Sequence, residues 1–264
     1  MHYVIADIHG CYDLYLKMLE KIGFSDGDTL YFLGDAIDRG PDGIKVLLDM
    51  MGRKNIVPFL GNHEDMFYRI ISSIGKELTL DEKIDVEGTM EGWINYEGGD
   101  STWADYCSLP EDQKQALLDN LKSFRIYKEL KLNGRRFLLA HAGLGRYAKG
   151  KTPDDCTAEE MIWERMDYDK VYWPNVYLVT GHTPTGYIDP AYANRIIQKN
   201  NHIAIDCGAV FGGTLGCIAW KPWRSSMSAE FKRSIDRKAG RSPQRTAPKT
   251  YRITANDGFD CLSY

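Results

Sequence analysis

Asp, His and Asn recur in this sequence at the ends of short apolar runs, and all three residue types bind divalent cations. Asp7-Ile8-His9-Gly10 follows the run His2 to Ala6, and Gly34-Asp35-Ala36-Ile37-Asp38-Arg39-Gly40 follows Thr29 to Leu33. Gly61-Asn62-His63-Glu64 follows Asn55 to Leu60, and His141-Ala142-Gly143 follows Arg136 to Ala140. Gly181-His182-Thr183-Pro184 then follows Val176 to Thr180, and Asp206-Cys207-Gly208 follows His202 to Ile205. Carboxylate and amide oxygens with imidazole nitrogens, and no thiolate, suit manganese, iron or zinc and do not choose among them. Two such cations about 3.5 to 4 Å apart need a shared ligand, and Asp35 is the natural bridge. Asp7 and His9, two residues apart in an extended loop, would join Asp35 around one metal, while Asn62, His141 and His182 would complete the second. A water between two cations becomes a hydroxide at neutral pH, which suits in-line attack on phosphorus.

These residues need a scaffold that brings strand ends together. The apolar runs, with a seventh from Thr214 to Trp220, have the length and the β-branched or aromatic content of buried strands. Pro58 suits an edge strand or a strand end. Tyr15, Met18, Leu19 and Ile22 recur at helical spacing between the first and second runs, as do Ile44, Leu47, Leu48 and Met51 between the second and third. The first sixty residues therefore read as βαβαβ, a parallel sheet with crossover helices, and polar groups at its carboxyl ends converge on one crevice. Residues 64–125 interrupt this rhythm with helical patterns from Met66 to Ile74 and from Glu111 to Phe124. Trp93, Tyr96, Trp103 and Tyr106 lie between them, so the segment reads as an inserted helical cap whose aromatics form a small core. From Arg125 the β pattern returns, with a hairpin turning at Asn133-Gly134.

A chain of 264 residues allows one large domain or two small ones. With 43% hydrophobic and 27% charged residues it is an ordinary globular sequence, which excludes disordered and coiled-coil classes. The net charge of −4 hides an asymmetry, because residues 221–264 carry ten Lys or Arg and four Asp or Glu. That leaves −10 on the rest, an acidic body that argues against nucleic acid as the main ligand. Residues 1–222 are therefore expected to form the catalytic domain and 223–264 a solvated basic extension. Six cysteines without a C-x-x-C pair fit reduced thiols. The start lacks the basic region of a secretory signal, no apolar run spans a membrane, and Cys261-Leu262-Ser263-Tyr264 is a poor prenylation box. The expected compartment is the cytoplasm.

The run D-x-H-G, G-D-x-x-D-R-G, G-N-H-E, H-x-G and G-H resembles the phosphoprotein phosphatase branch of the calcineurin-like metallophosphoesterases, especially compact phage and bacterial members. The match is anchored from Asp7 to about Gly208. The resemblance implies that Asp7, His9, Asp35, Asn62, His141 and His182 ligate two metals. It also implies that His63, supported by Asp38, protonates the leaving oxygen, and that Arg39 and Arg165 grip the phosphoryl group. Ala6 and Ala142 stand where many members have glycine; neither change removes a ligand. The expected fold is a four-layer αββα sandwich of two mixed β-sheets flanked by helices, with a helical insertion.

The expected activity is hydrolysis of phosphate monoesters, first on phosphoserine or phosphothreonine and then on phosphotyrosine of proteins, with small phosphate esters as other candidates. Symmetrical dinucleoside tetraphosphate hydrolases share this scaffold and are the alternative. Asp206 to Trp220 looks somewhat like their C-terminal strand, but their patterns G-D-x-x-x-R-G and G-N-H-D differ here at Asp38 and Glu64. A catalytically silent binding module is the third reading, and it would predict a damaged ligand set. Other motifs fare worse. Gly145 to Thr152 fits a phosphate-binding loop string, but its helix would have to run through Pro153. Gly23-Phe24-Ser25-Asp26-Gly27 follows a helix and precedes a strand, the reverse of a nucleophile elbow. Oligomeric state and the role of the basic extension are not legible in the residues.

Overall fold

The structure is a computed structural model and describes residues 1–145, 152–221 and 248–253. The phosphate-loop string, apart from its ends, and most of the basic extension lie outside these residues. Two five-stranded mixed sheets pack face to face. In the first, β1 (His2–Ile5), β2 (Thr29–Phe32) and β3 (Ile56–Pro58) are parallel. The crossovers between them are α1 (Tyr12–Lys21) and α2 (Gly43–Met51), as the βαβαβ pattern requires. Pro58 ends β3 at the sheet edge, where its missing N–H costs no ladder bond.

The second sheet runs β4 (Tyr127–Leu132), β5 (Arg135–Ala140), β6 (Val176–Thr180), β8 (His202–Ala204) and β7 (Ile197–Lys199). Strands β5, β6 and β8 are parallel, and β4 and β7 run antiparallel at the edges. The β4–β5 hairpin turns on Asn133 and Gly134, both at positive φ, as the Asn-Gly pair predicts.

Period-two burial sorts each strand between two cores. Val4, Ala6, Tyr31, Leu33 and Ile218 of the first sheet meet Phe137, Leu139, Val179 and Ile203 of the second. Tyr3, Ile5, Leu30 and Phe32 point outward and pack on α1 and α2 through Tyr15, Met18, Ile44 and Leu47. Leu138, Leu178 and Ala204 on the outer face of the second sheet are covered by Met161 of α7 (Ala158–Trp163) and by Met166 and Tyr168. This gives the expected four layers.

Two strands were not expected. β7 carries a single apolar residue at an exposed edge, and β10 (Lys249–Ile253) pairs antiparallel with β9 (Leu215–Trp220) on the rim of the first sheet. Residues 249–253 of the expected extension therefore complete the catalytic sheet instead of standing apart from it.

The expected cap consists of α3 (Asn62–Ser73), α4 (Leu80–Tyr96), α5 (Asp100–Ser108) and α6 (Glu111–Leu121). Its centre is aromatic: the Phe67 ring lies 5.6 Å from Trp93 and 5.3 Å from Tyr106. Phe67 and Trp93 are fully buried. Phe67→Ala is expected to cost about 3–5 kcal/mol in urea denaturation, because the ring is fully buried in the core that the cap shares with α1, α2 and the first sheet. A loss below about 1 kcal/mol would show that the cap adds little to folding.

Candidate active site

Every candidate ligand falls in a turn at the carboxyl end of a strand or at the first turn of α3, and six residues of the site bend the backbone into the left-handed region. Asp7, His9, Asp35, Asp38, Arg39 and His182 have φ between 45° and 71°, a conformation that costs a residue with a side chain about 1–3 kcal/mol. Gly34 precedes Asp35 at φ +91°, where a Cβ would lie 2.6 Å from the Gly61 backbone and 2.9 Å from His141 Nδ1. Only glycine lets the β2 and β3 turns approach this closely.

Among the described residues two groups of possible ligand atoms emerge, His9 with Asp35 and His63, and Asp35 with His141 and His182. Asp35 belongs to both, as a bridging carboxylate must. The Nδ1 of His9 donates to the Ile37 carbonyl at 2.8 Å and that of His141 to the Leu33 carbonyl at 2.6 Å. A carbonyl only accepts, so each ring keeps a proton on Nδ1 and presents Nε2 to the centre. His9 Nε2 lies 3.5 Å and His141 Nε2 3.4 Å from opposite oxygens of Asp35. Asn62 Oδ1 sits 3.0 Å from His141 Nε2 and 3.1 Å from His182 Nδ1.

Asp7 stands slightly apart. Its Oδ1 accepts the His182 backbone N–H at 2.8 Å, while its buried Oδ2 has no hydrogen-bond partner. A cluster of electron-pair donors facing one another, with an orphaned carboxylate oxygen beside them, fits divalent cations.

The electrostatics agree for His9 and His182; burial lowers His141 too, but the Asp35 charge and its hydrogen bonds outweigh it and raise that ring above the ordinary value. Burial, then the neighbouring Asp206 and Asp35, pushes the Asp7 carboxyl well up. Burial holds His9 well below the usual histidine range, and burial with the adjacent His141 takes His182 down to about 3. Neutral imidazole is the form that binds metal. Burial would raise Asp35, but His141, His63 and His9 outweigh it and hold its carboxyl well below the usual range.

Beside this centre, His63 Nδ1 pairs with Asp38 Oδ2 at 2.6 Å, and its buried Nε2 faces the cleft without a hydrogen-bond partner. Burial lowers the His63 pKa, but Asp35 and the bond to Asp38 overcome it and raise it above the ordinary value. The cap grips the other end of this pair. Trp93 Nε1 donates to the same Asp38 oxygen at 2.5 Å, Thr102 Oγ accepts the Asp38 N–H at 3.0 Å, and the Arg39 N–H donates to the Gly98 carbonyl at 2.8 Å. Motif reading missed Trp93 and Thr102 because they reach the site only through folding of the insertion.

Arg39 and Arg165 both line the cleft, about 510 Å³ in volume, with Trp163, Tyr187, Phe211 and Glu97 at its walls. The Arg39 guanidinium also donates to His9 Nε2 at 2.7 Å and lies over the Phe211 ring, 5.5 Å from its centre.

Glu64 reads from sequence as a helix-start or supporting carboxylate, and it serves as both. It accepts the N–H groups of Asp35 and Ala36, each at 2.7 Å, and of Gly61 at 3.1 Å, so it fixes the backbone that carries Asp35. Burial and the nearby Asp35 raise its pKa to about 7. Glu64→Gln, which turns an N–H donor toward these N–H groups, is expected to weaken metal binding about 10–100-fold in a manganese titration. Unchanged affinity would reduce Glu64 to a helix cap. Asp206, the remaining strand-end carboxylate, is buried, accepts the Gly208 N–H at 2.9 Å, and is raised to about 6 mainly by burial.

The family model of the calcineurin-like phosphoesterases matches residues 3–214, which include every strand-end cluster described above. A protein of Geobacillus sp. strain WCH70 named bis(5'-nucleosyl)-tetraphosphatase PrpE (asymmetrical) is 30% identical over 240 residues, covering 80% of this chain and 87% of that relative. Among solved structures, a candidate diadenosine tetraphosphatase is similar, with TM-score 0.54, 20% identity, and 82% and 87% of the two chains covered. A protein serine/threonine phosphatase from Saccharomyces cerevisiae also shares the fold, with TM-score 0.56, 16% identity, and 98% and 81% covered. With Asp35 common to both ligand groups and the family pattern spanning both sheets, the chain belongs to the calcineurin-like phosphoesterase family, whose members are hydrolases acting on phosphoric esters.

Proposed function

We propose that this phosphoesterase hydrolyses dinucleoside tetraphosphates, cutting them off-centre. The observation that carries the reading is the cleft wall: Trp163, Tyr187 and Phe211 are 37%, 76% and 62% exposed around two arginines. Exposed aromatic faces are platforms for bases, and planar guanidinium forks suit the phosphates between them. The cleft volume is that of a small-molecule site. Curated relatives that bear this activity in their name support the reading, and "asymmetrical" in that name supports the off-centre cut.

In this proposal Asp7, His9, Asp35, Asn62, His141 and His182 hold two divalent cations. Manganese is the first choice, and iron and zinc are compatible with the same donors. When bound, the cations supply a water of lowered pKa and neutralise phosphoryl charge. Arg39 and Arg165 bind the phosphoryl oxygens and align the chain of phosphates. His63 gives the proton on Nε2 to the departing oxygen, while Asp38 holds Nδ1 and favours the charged ring.

One observation favours a second reading, a protein serine/threonine phosphatase. The 2.6 Å His63–Asp38 pair is an acid of most use to a strongly basic alkoxide leaving group, and a departing polyphosphate needs it less. Purified protein loaded with manganese separates the readings when offered diadenosine tetraphosphate and a phosphoserine peptide. Conversion of the dinucleotide to ATP and AMP is expected. Two ADP would mean a symmetrical cut, and turnover of the peptide alone would overturn the proposal.

A further inference from the structure

The cap contributes one acidic group to the wall of the cleft. Glu97 follows α4, and its Oε2 lies 3.1 Å from Arg39 Nη2 and 3.7 Å from His63 Nε2. The carboxylate therefore stands between the guanidinium assigned to grip phosphate and the nitrogen assigned to protonate the leaving oxygen. A phosphoryl oxygen served by both groups must enter this space.

Backbone contacts also hold the segment that carries Glu97 beside Arg39. The Arg39 N–H bonds the carbonyl of Gly98, the residue next to Glu97, and Gly98 at φ +76° packs against the Arg39 backbone and Cγ. Ser101 Oγ adds a bond to the Gly40 carbonyl at 2.9 Å. The backbone thus locks the 97–101 segment onto the motif loop, with the Glu97 side chain about one-third exposed at its edge.

We infer that Glu97 is a specificity-determining residue that rejects doubly charged terminal phosphates and admits singly charged internal ones. A terminal monoester carries about −1.5 to −2 at neutral pH. An internal phosphoryl group of a polyphosphate bridge carries one charge, and its bridging oxygens can face the carboxylate. Both must displace Glu97 from Arg39, but the dianion meets the larger repulsion at this distance. The inference rests on the reading of the cleft as a site for internal phosphates, and it explains how an otherwise general phosphoesterase site would turn away phosphoserine and free phosphate.

The test compares wild type with Glu97→Gln and Glu97→Ala, using inorganic phosphate, p-nitrophenyl phosphate and bis-p-nitrophenyl phosphate as probes. Both variants are expected to bind inorganic phosphate about tenfold more tightly, read as an inhibition constant and as a thermal shift. KM for the monoester should fall about tenfold with kcat little changed, and KM for the singly charged diester, which also gains the freed Arg39, should fall no more than about threefold. Equal shifts on monoester and diester, an unchanged phosphate inhibition constant, or an effect of alanine without one of glutamine would each overturn the inference. Failure of wild type to cleave diadenosine tetraphosphate while the monoester shift appears would remove the dinucleotide reading and leave Glu97 as a charge filter.

Discussion

Replacing Asp35 by asparagine is expected to lower turnover of diadenosine tetraphosphate roughly a thousandfold or more, and to leave protein that retains fewer than two equivalents of manganese after dialysis. Asp35 sends its two oxygens toward different histidines, His9 on one side and His141 on the other. An amide keeps the shape but carries no charge and offers one good donor oxygen instead of two. The loss extends beyond the metals. Asp35 Oδ1 also accepts the His63 backbone N–H at 3.3 Å, and the Asp35 charge helps keep the His63 ring protonated. Activity and metal content should therefore fall together while far-ultraviolet circular dichroism is unchanged. Wild-type turnover in Asp35→Asn would remove the bridging role and the proposed mechanism with it.

The second large effect is expected at His63. His63→Gln should lower kcat by about 10²–10⁴ on an alkyl phosphate, with less effect on p-nitrophenyl phosphate, because general acid catalysis matters most when the leaving oxygen is most basic. Diadenosine tetraphosphate should lie toward the p-nitrophenyl end. This gradient separates an acid from a ligand: a metal ligand would depress all three substrates alike. Asp38→Asn should reproduce the gradient in weaker form, since Trp93 and Thr102 still hold the loop while the negative partner of Nδ1 is gone. A loss of equal size across leaving groups would place His63 among the ligands, alongside the His9 and Asp35 atoms that it approaches.

Much of this geometry was legible in the residues because it is local. Each candidate ligand follows an apolar run of strand length, and parallel strands joined by crossover helices must end on one side of the sheet. That reasoning reaches Asp7, Asp35 and Asn62 on the first sheet and His141 and His182 on the second without any tertiary information. It fails where side chains arrive from elsewhere. Trp93, Glu97 and Thr102 lie in the middle of the insertion, between its two helical patterns, and only the docking of α4 and α5 beside the motif loop brings them to Asp38 and Arg39. β10 escaped because Lys249-Thr250-Tyr251-Arg252 carries the polarity of an exposed segment, as an edge strand facing solvent can. The proposed substrate was the least legible feature: the exposed cleft aromatics Trp163, Tyr187 and Phe211 stand on three separate loops or helix ends, and nothing in their spacing couples them.

The six left-handed turn residues place chemistry and durability in opposition. Glycine at positions 7, 9, 35, 38, 39 or 182 would relax the chain and raise the melting temperature, yet each exchange deletes a side chain the proposed reaction uses. Directed evolution for heat tolerance alone would therefore drift toward an inert protein. Durable variants that still work must gain their stability in the sandwich and the cap, far from these turns.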